Sequence, residues 1–483
     1  MRRIGLAAIC LLLATGCGDE GGPGNRAPTI YSTAPTEATP YFEYSYALGC
    51  SDPDGDMLAL LRGANDTCGG TLVDHGNRQG TYAFTPEHGQ ADSACVVEVV
   101  CTDPELLSDT QQIPVTILPL PDVETLTFGP FEPWAEPIAD YIQDVAQALQ
   151  TWDFYWGIHD LAVHDHRLYI GYGDATHNAG SRVPIEIRAW SRPDPEAIQT
   201  EFVTDEEQID RYRQPNGRLL IPGVDATQDG LMGQVYVLGS TGWIKDRTVQ
   251  LAWHVHDVAV QGDDLVACGS GGTIDDYNGG TVNAFLYRHT PDATGFAIDV
   301  QLPHPQPPGD NRLTSLLVVD DTLYATGYWS DYSVSYATAY VQDGTALVAW
   351  DDLSNFYVLD SLSVTPSLGL LFGVTIDTAL TFGGRVVTAG GVAVADGLEG
   401  LSVLNADPLP GGRALILARD GDEYPTPATD TWTVSVGVTS DGHNFQELAA
   451  QTFDVQPRSI AFWRRSLYLG LDDGTVWRAV GVP

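Results

Sequence analysis

The sequence predicts an all-β chain in two unequal parts, and three observations carry that expectation. Apolar residues come in short groups broken by turn residues, in a composition rich in Gly, Pro, Tyr and Trp and poor in Lys, which is how strands and hairpins read. The first part, residues 27–119, alternates apolar with polar residues and holds four of the seven cysteines. The second, residues 153–483, repeats a unit of short strands.

At the N-terminus, Arg2 and Arg3 precede an apolar run from Ile4 to Leu13. That run is far short of the roughly 20 residues needed to span a bilayer and has the proportions of a signal peptide, so residues 1–16 are expected to be removed. Ala14-Thr15-Gly16-Cys17 resembles the lipobox of bacterial lipoproteins, with Ala14 where that family usually has Leu. The resemblance implies a lipidated Cys17 and a protein held in the bacterial cell envelope by acyl chains alone, each buried methylene contributing about 0.8 kcal/mol. Ala14 and Gly16 also satisfy the small-x-small rule of an ordinary signal peptidase, which would leave Cys17 unmodified. Residues 17–26, Gly-rich after the Cys, read as a flexible tether.

With 64 acidic against 23 basic side chains the formal net charge is −41, spread along the chain. Such a field repels nucleic acid and anionic head groups and favours cations, which removes nucleic-acid binding from consideration. The membrane is expected to be met through the lipid only, and the chain to be a monomer.

In residues 27–119, Phe42, Tyr44, Tyr46 and Leu48 share one face of a period-two strand, with Cys50 in phase. Cys95, Val97, Val99 and Cys101 share a face in a later strand. Four cysteines allow three pairings. Asn25-Arg26-Ala27-Pro28, then Asp52-Pro53-Asp54-Gly55-Asp56, then Ile113-Pro114-Val115-Thr116-Ile117 together resemble the cadherin-like and Ig-like sandwich modules of bacterial surface proteins. That resemblance implies a Cys50–Cys101 link between the sheets, leaving Cys68 to pair with Cys95. Asp52, Asp54 and Asp56, two residues apart across a turn, can wrap a hard cation such as Ca2+, the one cofactor the sequence suggests. The same residues also make a polar hairpin with no ion, since Asp-Gly is a favoured turn dipeptide.

Residues 120–152 read as a Pro-rich linker carrying one helix, because Ile138, Tyr141, Ile142, Val145 and Leu149 recur at helical spacing. This helix is expected to pack between the two parts. Beyond it, Trp156-Gly157-Ile158-His159-Asp160-Leu161-Ala162-Val163 followed by Leu168-Tyr169-Ile170-Gly171 is matched by Trp253-His254-Val255-His256-Asp257-Val258-Ala259-Val260 followed by Leu265-Val266-Ala267-Cys268-Gly269. Weaker copies begin at Leu219, Leu323, Val386 and Leu467. A period of several short strands predicts a β-propeller, with six blade cores visible and a seventh expected in the long interval before Leu467. Ser440-Asp441-Gly442-His443-Asn444-Phe445 looks like a degenerate Asp box, so the second part resembles bacterial propellers of the Asp-box or quinoprotein kind.

Candidate chemistry is sparse. His159-Asp160 and His256-Asp257 are expected to open innermost strands beside the axis, where the two Asp or the two His could converge from different blades. Alternatively each His bonds within its own blade. Tyr328, Trp329, Asp331, Tyr332 and Tyr336 form an aromatic loop suited to stacking on sugar rings or protein side chains, or to packing between blades. Arg182-Val183-Pro184 resembles the Arg-Ile-Pro motif of sialidases but sits in mid-blade. A Gly-x-Ser-x-Gly elbow, a phosphate loop and a His-Glu-x-x-His site are absent from the sequence. The expected function is therefore non-enzymatic binding or adhesion, with a glycan or protein ligand and no catalytic residue; the alternative is a propeller-type glycoside hydrolase or polysaccharide lyase.

Overall fold

The computed structural model describes residues 24–228, 231–353, 355–376, 380–398, 400–420 and 431–483. The chain divides into two compact units, Met1–Pro121 and Asp122–Pro483. No helix among the described residues is long and apolar enough to cross a membrane.

The first unit is a sandwich of two four-stranded sheets. One orders Thr29–Ile30, Tyr44–Ser51, Gln79–Phe84 and Thr71–Gly76; the other orders Glu37–Ala38, Ser108–Ile117, Ser93–Thr102 and Ala59–Arg62. Period-two alternation explains the core: Tyr44, Tyr46, Leu48 and Cys50 point inward from one sheet and Val97, Val99 and Cys101 from the other. Phe42 falls in the turn before its strand rather than in it. Cys68 and Cys95 are bridged, with Cα atoms 5.1 Å apart. Cys50 and Cys101 depart from the expected inter-sheet bond: they are free, fully buried thiols in hydrogen-bond contact. Burial in the apolar core pushes both thiols up, so they stay protonated and fill volume like small apolar residues.

The second unit is a β-propeller. Its described residues form seven blades, whose first strands are Asp160–His164, Leu220–Pro222, Ala252–Gln261, Gly309–Val319, Phe356–Thr365, Leu401–Leu409 and Pro457–Trp463. From blade 2 round to blade 1 each first strand packs on the first strand of the next blade, so the ring of first strands lies innermost and later strands lie outward. The expected hidden blade is the sixth, spanning Leu401–Leu409, Arg413–Asp420, Trp432–Thr439 and Gln446–Phe453. In blade 5 the second strand is Leu368–Ile376; the Val386 segment read as its core is the third strand, Leu380–Thr388.

The segment expected as a linker belongs to the propeller. Glu132–Ala135 pairs antiparallel with Val476–Val482, placing Glu132 opposite Arg478, and so becomes the outermost strand of blade 7. Trp134 holds it there, its ring 4.9 Å from Tyr468 of blade 7 and 4.8 Å from Trp190 of blade 1. The helix Ala139–Leu149 packs on the same region: Tyr141 and Val145 enter the core cluster of blades 1 and 7, and Asp140 pairs with Arg188 at 2.7 Å.

Candidate functional site

In five blades the first strand carries a β-bulge, between Val255 and Asp257, Leu313 and Ser315, Val358 and Asp360, Val403 and Asn405, and Pro457 and Ser459. A bulge inserts backbone that must be accommodated by the partner strand. In blades 3, 4 and 5 a glycine accommodates it: a Cβ on Gly269, Gly327 or Gly373 would collide with the carbonyl of His254, Arg312 or Tyr357 respectively. The glycine closing the repeated Leu-Tyr-x-x-Gly unit thus has a steric cause.

The residue after each bulge is polar, and Asp160 holds the same place in blade 1. These side chains stitch neighbouring blades together. Asp160 accepts from the Tyr212 N–H at 2.7 Å, Asp257 from the Leu316 N–H at 2.9 Å and Asn405 from the Ile460 N–H at 3.1 Å. Ser315 donates to the Ser361 hydroxyl at 2.7 Å, and Ser459 to the Ile158 carbonyl at 3.0 Å.

Blade 2 departs from this pattern. Its first strand has three residues, and the preceding segment runs inboard of it through the Arg213–Leu220 bridge, which delivers Arg211 and Arg213 to the axis. Arg213 grips Asp257 with two bonds, 2.7 and 3.0 Å, and reaches Asp360 at 2.8 Å and the Ser361 carbonyl at 3.1 Å. Arg211 reaches Asp360 at 3.1 Å. Burial works against an ionised Asp360, but the two guanidiniums hold its carboxyl below the usual range.

Around this girdle lies a cavity of about 1220 Å³. It extends from Ser402, Trp432 and Gln456, near where the first strands begin, to Gly262, Asp321 and Pro366 in the turns that follow them. Asp160 and His159 line it; Asp257 and His256 do not. Asp160 is pushed up to about 7 by burial. Asp407 of blade 6 also lines the cavity, 6% exposed, with no hydrogen bond from any described residue. Burial, and then the charge of Asp160, raise its carboxyl well above the usual range.

Asp257 is fully buried and spent on Arg213, Leu316 and its own neighbour Val258, so it belongs to the fold and not to a ligand surface. His159 bonds the Gly173 carbonyl at 2.9 Å and His256 the Ser270 hydroxyl at 3.0 Å, each within its own blade. Burial drives His256 far below its ordinary value and its stacked neighbour His254 down to about 4.

The aromatic loop is the hairpin between strands two and three of blade 4, and none of Tyr328, Trp329, Asp331, Tyr332 or Tyr336 lines the cavity. The expectation of one working face shared by the loop and the axial carboxylates is thereby corrected. Trp329 and Tyr336 stack with ring centres 4.1 Å apart, while Tyr332 is 63% and Tyr336 43% exposed. Tyr332 donates to the Gly280 carbonyl at 3.0 Å, tying the hairpin to the blade 3 loop that exposes Ile274 and Tyr277. Asp331 is spent within the hairpin on the Ser333 and Val334 N–H groups.

In the sandwich, the triad Asp52, Asp54, Asp56 is corrected to Asp52, Asp56 and Asp103, which bring ligand oxygens within 4.8 Å of one another. Arg26 takes Asp54 away through a salt bridge at 2.8 Å. Asp52 Oδ1 accepts from the Asp54 and Asp56 N–H groups, whereas its Oδ2 is buried with no partner, the condition of a carboxylate shaped for a hard cation. Asp441 of the Asp-box-like turn accepts from the His443 and Asn444 N–H groups at 2.8 Å and makes a turn between strands three and four of blade 6. Arg182 is exposed and outside the cavity. The leader and Cys17 lie outside the described residues.

Sequence reading missed Arg211, Arg213, Asp360, Asp407 and Asp103. Asp360 had a signal: Val358-Leu359-Asp360 matches Val255-His256-Asp257 in the repeat once the His is not required. Arg211 and Arg213 had none, because they act from a segment outside the repeat.

No protein-family model matches the chain, and no curated protein sequence matches it. Among solved structures, a virginiamycin B lyase from Staphylococcus aureus is 12% identical over 68% of this chain and 96% of that one, with a TM-score of 0.37. BamB from Moraxella catarrhalis is 13% identical over 67% of this chain and 85% of that one, at 0.34. An endo-fucoidan hydrolase of glycoside hydrolase family 107 is 21% identical over 20% of this chain, at 0.18, and the match spans 14% of its own length.

Proposed function

We propose that this chain is an exported binding protein, lipid-anchored at Cys17 in a bacterial envelope, that captures a carbohydrate through the aromatic edge of blades 3 and 4 without turning it over. The supporting observation is the stacked Trp329–Tyr336 pair beside the exposed rings of Tyr332 and Tyr277. Flat aromatic faces fixed by stacking offer sugar rings a contact that is already ordered, which lowers the entropic cost of binding. A glycan array probed with the purified protein tests the reading, followed by titration of any hit. Tyr336→Ala is expected to weaken binding by about 1–3 kcal/mol, the range of an aromatic anchor, with unfolding nearly unchanged. Binding of a protein ligand to the same edge, with no glycan retained, would replace the carbohydrate by the protein alternative. A steep stability loss with binding per folded molecule intact would make these rings packing residues. Anchorage is tested separately by detergent partitioning of the protein against Cys17→Ala in a bacterial host.

A second reading concerns the sandwich. The orphaned Asp52 Oδ2 among Asp56 and Asp103 supports a Ca2+ site at the module's edge. Millimolar Ca2+ is expected to raise the sandwich's melting temperature, and Asp103→Asn to abolish that rise; a rise that survives the substitution removes the site.

A further inference from the structure

We propose that the axial cavity binds a small organic cation, an ammonium group on an apolar body, with Asp407 as its counter-ion. The comparison that singles out Asp407 is internal to the chain. Two residues beyond the post-bulge position stand Ala162, Ala259, Leu317, Leu362 and Ala461 in blades 1, 3, 4, 5 and 7, and blade 6 alone among these has a carboxylate there. The fold therefore does not need an acid at this place.

A buried carboxylate without a partner carries a large desolvation cost, and nothing in the described structure offsets it. The charges of the girdle are accounted for: Arg211 and Arg213 are met by Asp257 and Asp360, Asp160 by the N–H groups of Leu161 and Tyr212, while Arg419 of blade 6, which also lines the cavity, lies over the Trp432 ring with its Nη1 unbonded among the described residues. Asp407 is left over. Leu362, Val364, Phe372, Val403 and Leu404 of blades 5 and 6 supply apolar lining beside polar Ser363, Thr365 and Asn405, so the complementary partner presents one donor-bearing charge on a body with apolar surface. The chain's −41 charge draws cations toward the cavity. Its size is that of a small-molecule site, for which about 300–1,000 Å³ is usual, with room to spare.

The test is calorimetric titration of the full soluble chain with benzylammonium, benzyl alcohol and benzoate, repeated on Asp407→Leu and Asp407→Asn. Leucine occupies the corresponding place in blades 4 and 5, so Asp407→Leu is expected to fold, and Asp407→Asn keeps the side chain's shape if it does not. Benzylammonium is expected to bind at least tenfold more tightly than either isostere, and to lose at least tenfold in both variants. Tyr336→Ala is expected to leave this binding unchanged, which separates the cavity from the aromatic edge. The proposal is overturned if benzylammonium gives no binding, if the alcohol or benzoate equals it, or if Asp407→Leu and Asp407→Asn retain the affinity.

Discussion

Whether a carboxylate beside a β-bulge serves the fold or a ligand is decided by what its oxygens already hold. Asp257 and Asp160 sit at equivalent places, but Asp257 is closed off by the Arg213 fork while Asp160 faces the cavity. Removing one partner of a buried pair leaves the other charge stranded, at about 3–5 kcal/mol. Asp257→Ala is therefore expected to lower the unfolding free energy by that amount in urea titrations, while Asp331→Ala, in an exposed hairpin, is expected to change it far less. Glu206 gives a pH dependence. It is buried among Gln234, Tyr236 and the Asp225 N–H, and burial pushes it up to about 8, as it pushes Asp160 to about 7. The folded state then keeps protons that the unfolded chain releases near pH 4, so the stability from these groups is full in acid and is lost as pH rises from about 4 to 8. Melting temperature is expected to fall between pH 5 and pH 8, and Glu206→Gln to flatten that fall. The His-Asp pairs were legible because both residues recur in adjacent places; Asp407 was not, because its meaning lies in differing from Ala and Leu at a place only the bulge registers define.

At the scale of elements, the strand alternation of the sandwich and the helix Ala139–Leu149 could be read directly, since each period is written in consecutive apolar residues. The strand Glu132–Ala135 could not: four residues with a proline, opposite a partner at the far end of the chain, leave no local pattern. Its role is nonetheless testable. Trp134→Ala removes the ring that joins blades 7 and 1, and an aromatic truncation of this kind is expected to cost about 3 kcal/mol, measured by thermal and urea unfolding. Blade 6 was hidden for a related reason, as its second strand, Arg413–Asp420, has Ala418 where blades 3, 4 and 5 have glycine. Cys68 and Cys95, 27 residues apart, are expected to contribute about 3 kcal/mol to the sandwich, so Cys68→Ala should lower its melting temperature, whereas Cys50→Ala should act as a small core cavity.

For the whole molecule, the excess of carboxylates acts on everything at once. Self-repulsion at −41 is screened by salt, so raising ionic strength from about 10 mM to 500 mM is expected to raise the melting temperature of both units. The propeller itself was legible as a repeat, and blade 6 as a gap in that repeat. What the repeat could not display was the axis, where residues from blades 2, 3 and 5 meet only after the ring is formed.

Blade 7 joins the two ends of its domain, and this governs how the ring comes into being. Almost every residue of the propeller lies between Glu132 and its partner Arg478. Joining them closes a very long loop, a contact that must wait until the intervening blades have shortened the distance, and such contacts slow folding far more than they alter stability. Six blades can stack as a growing arc from either side, but the latch engages last and, in unfolding, has to release first. A point change on Glu132–Ala135 should therefore alter the lifetime of the folded ring more than its rate of formation, making this short strand the timer of the molecule's persistence.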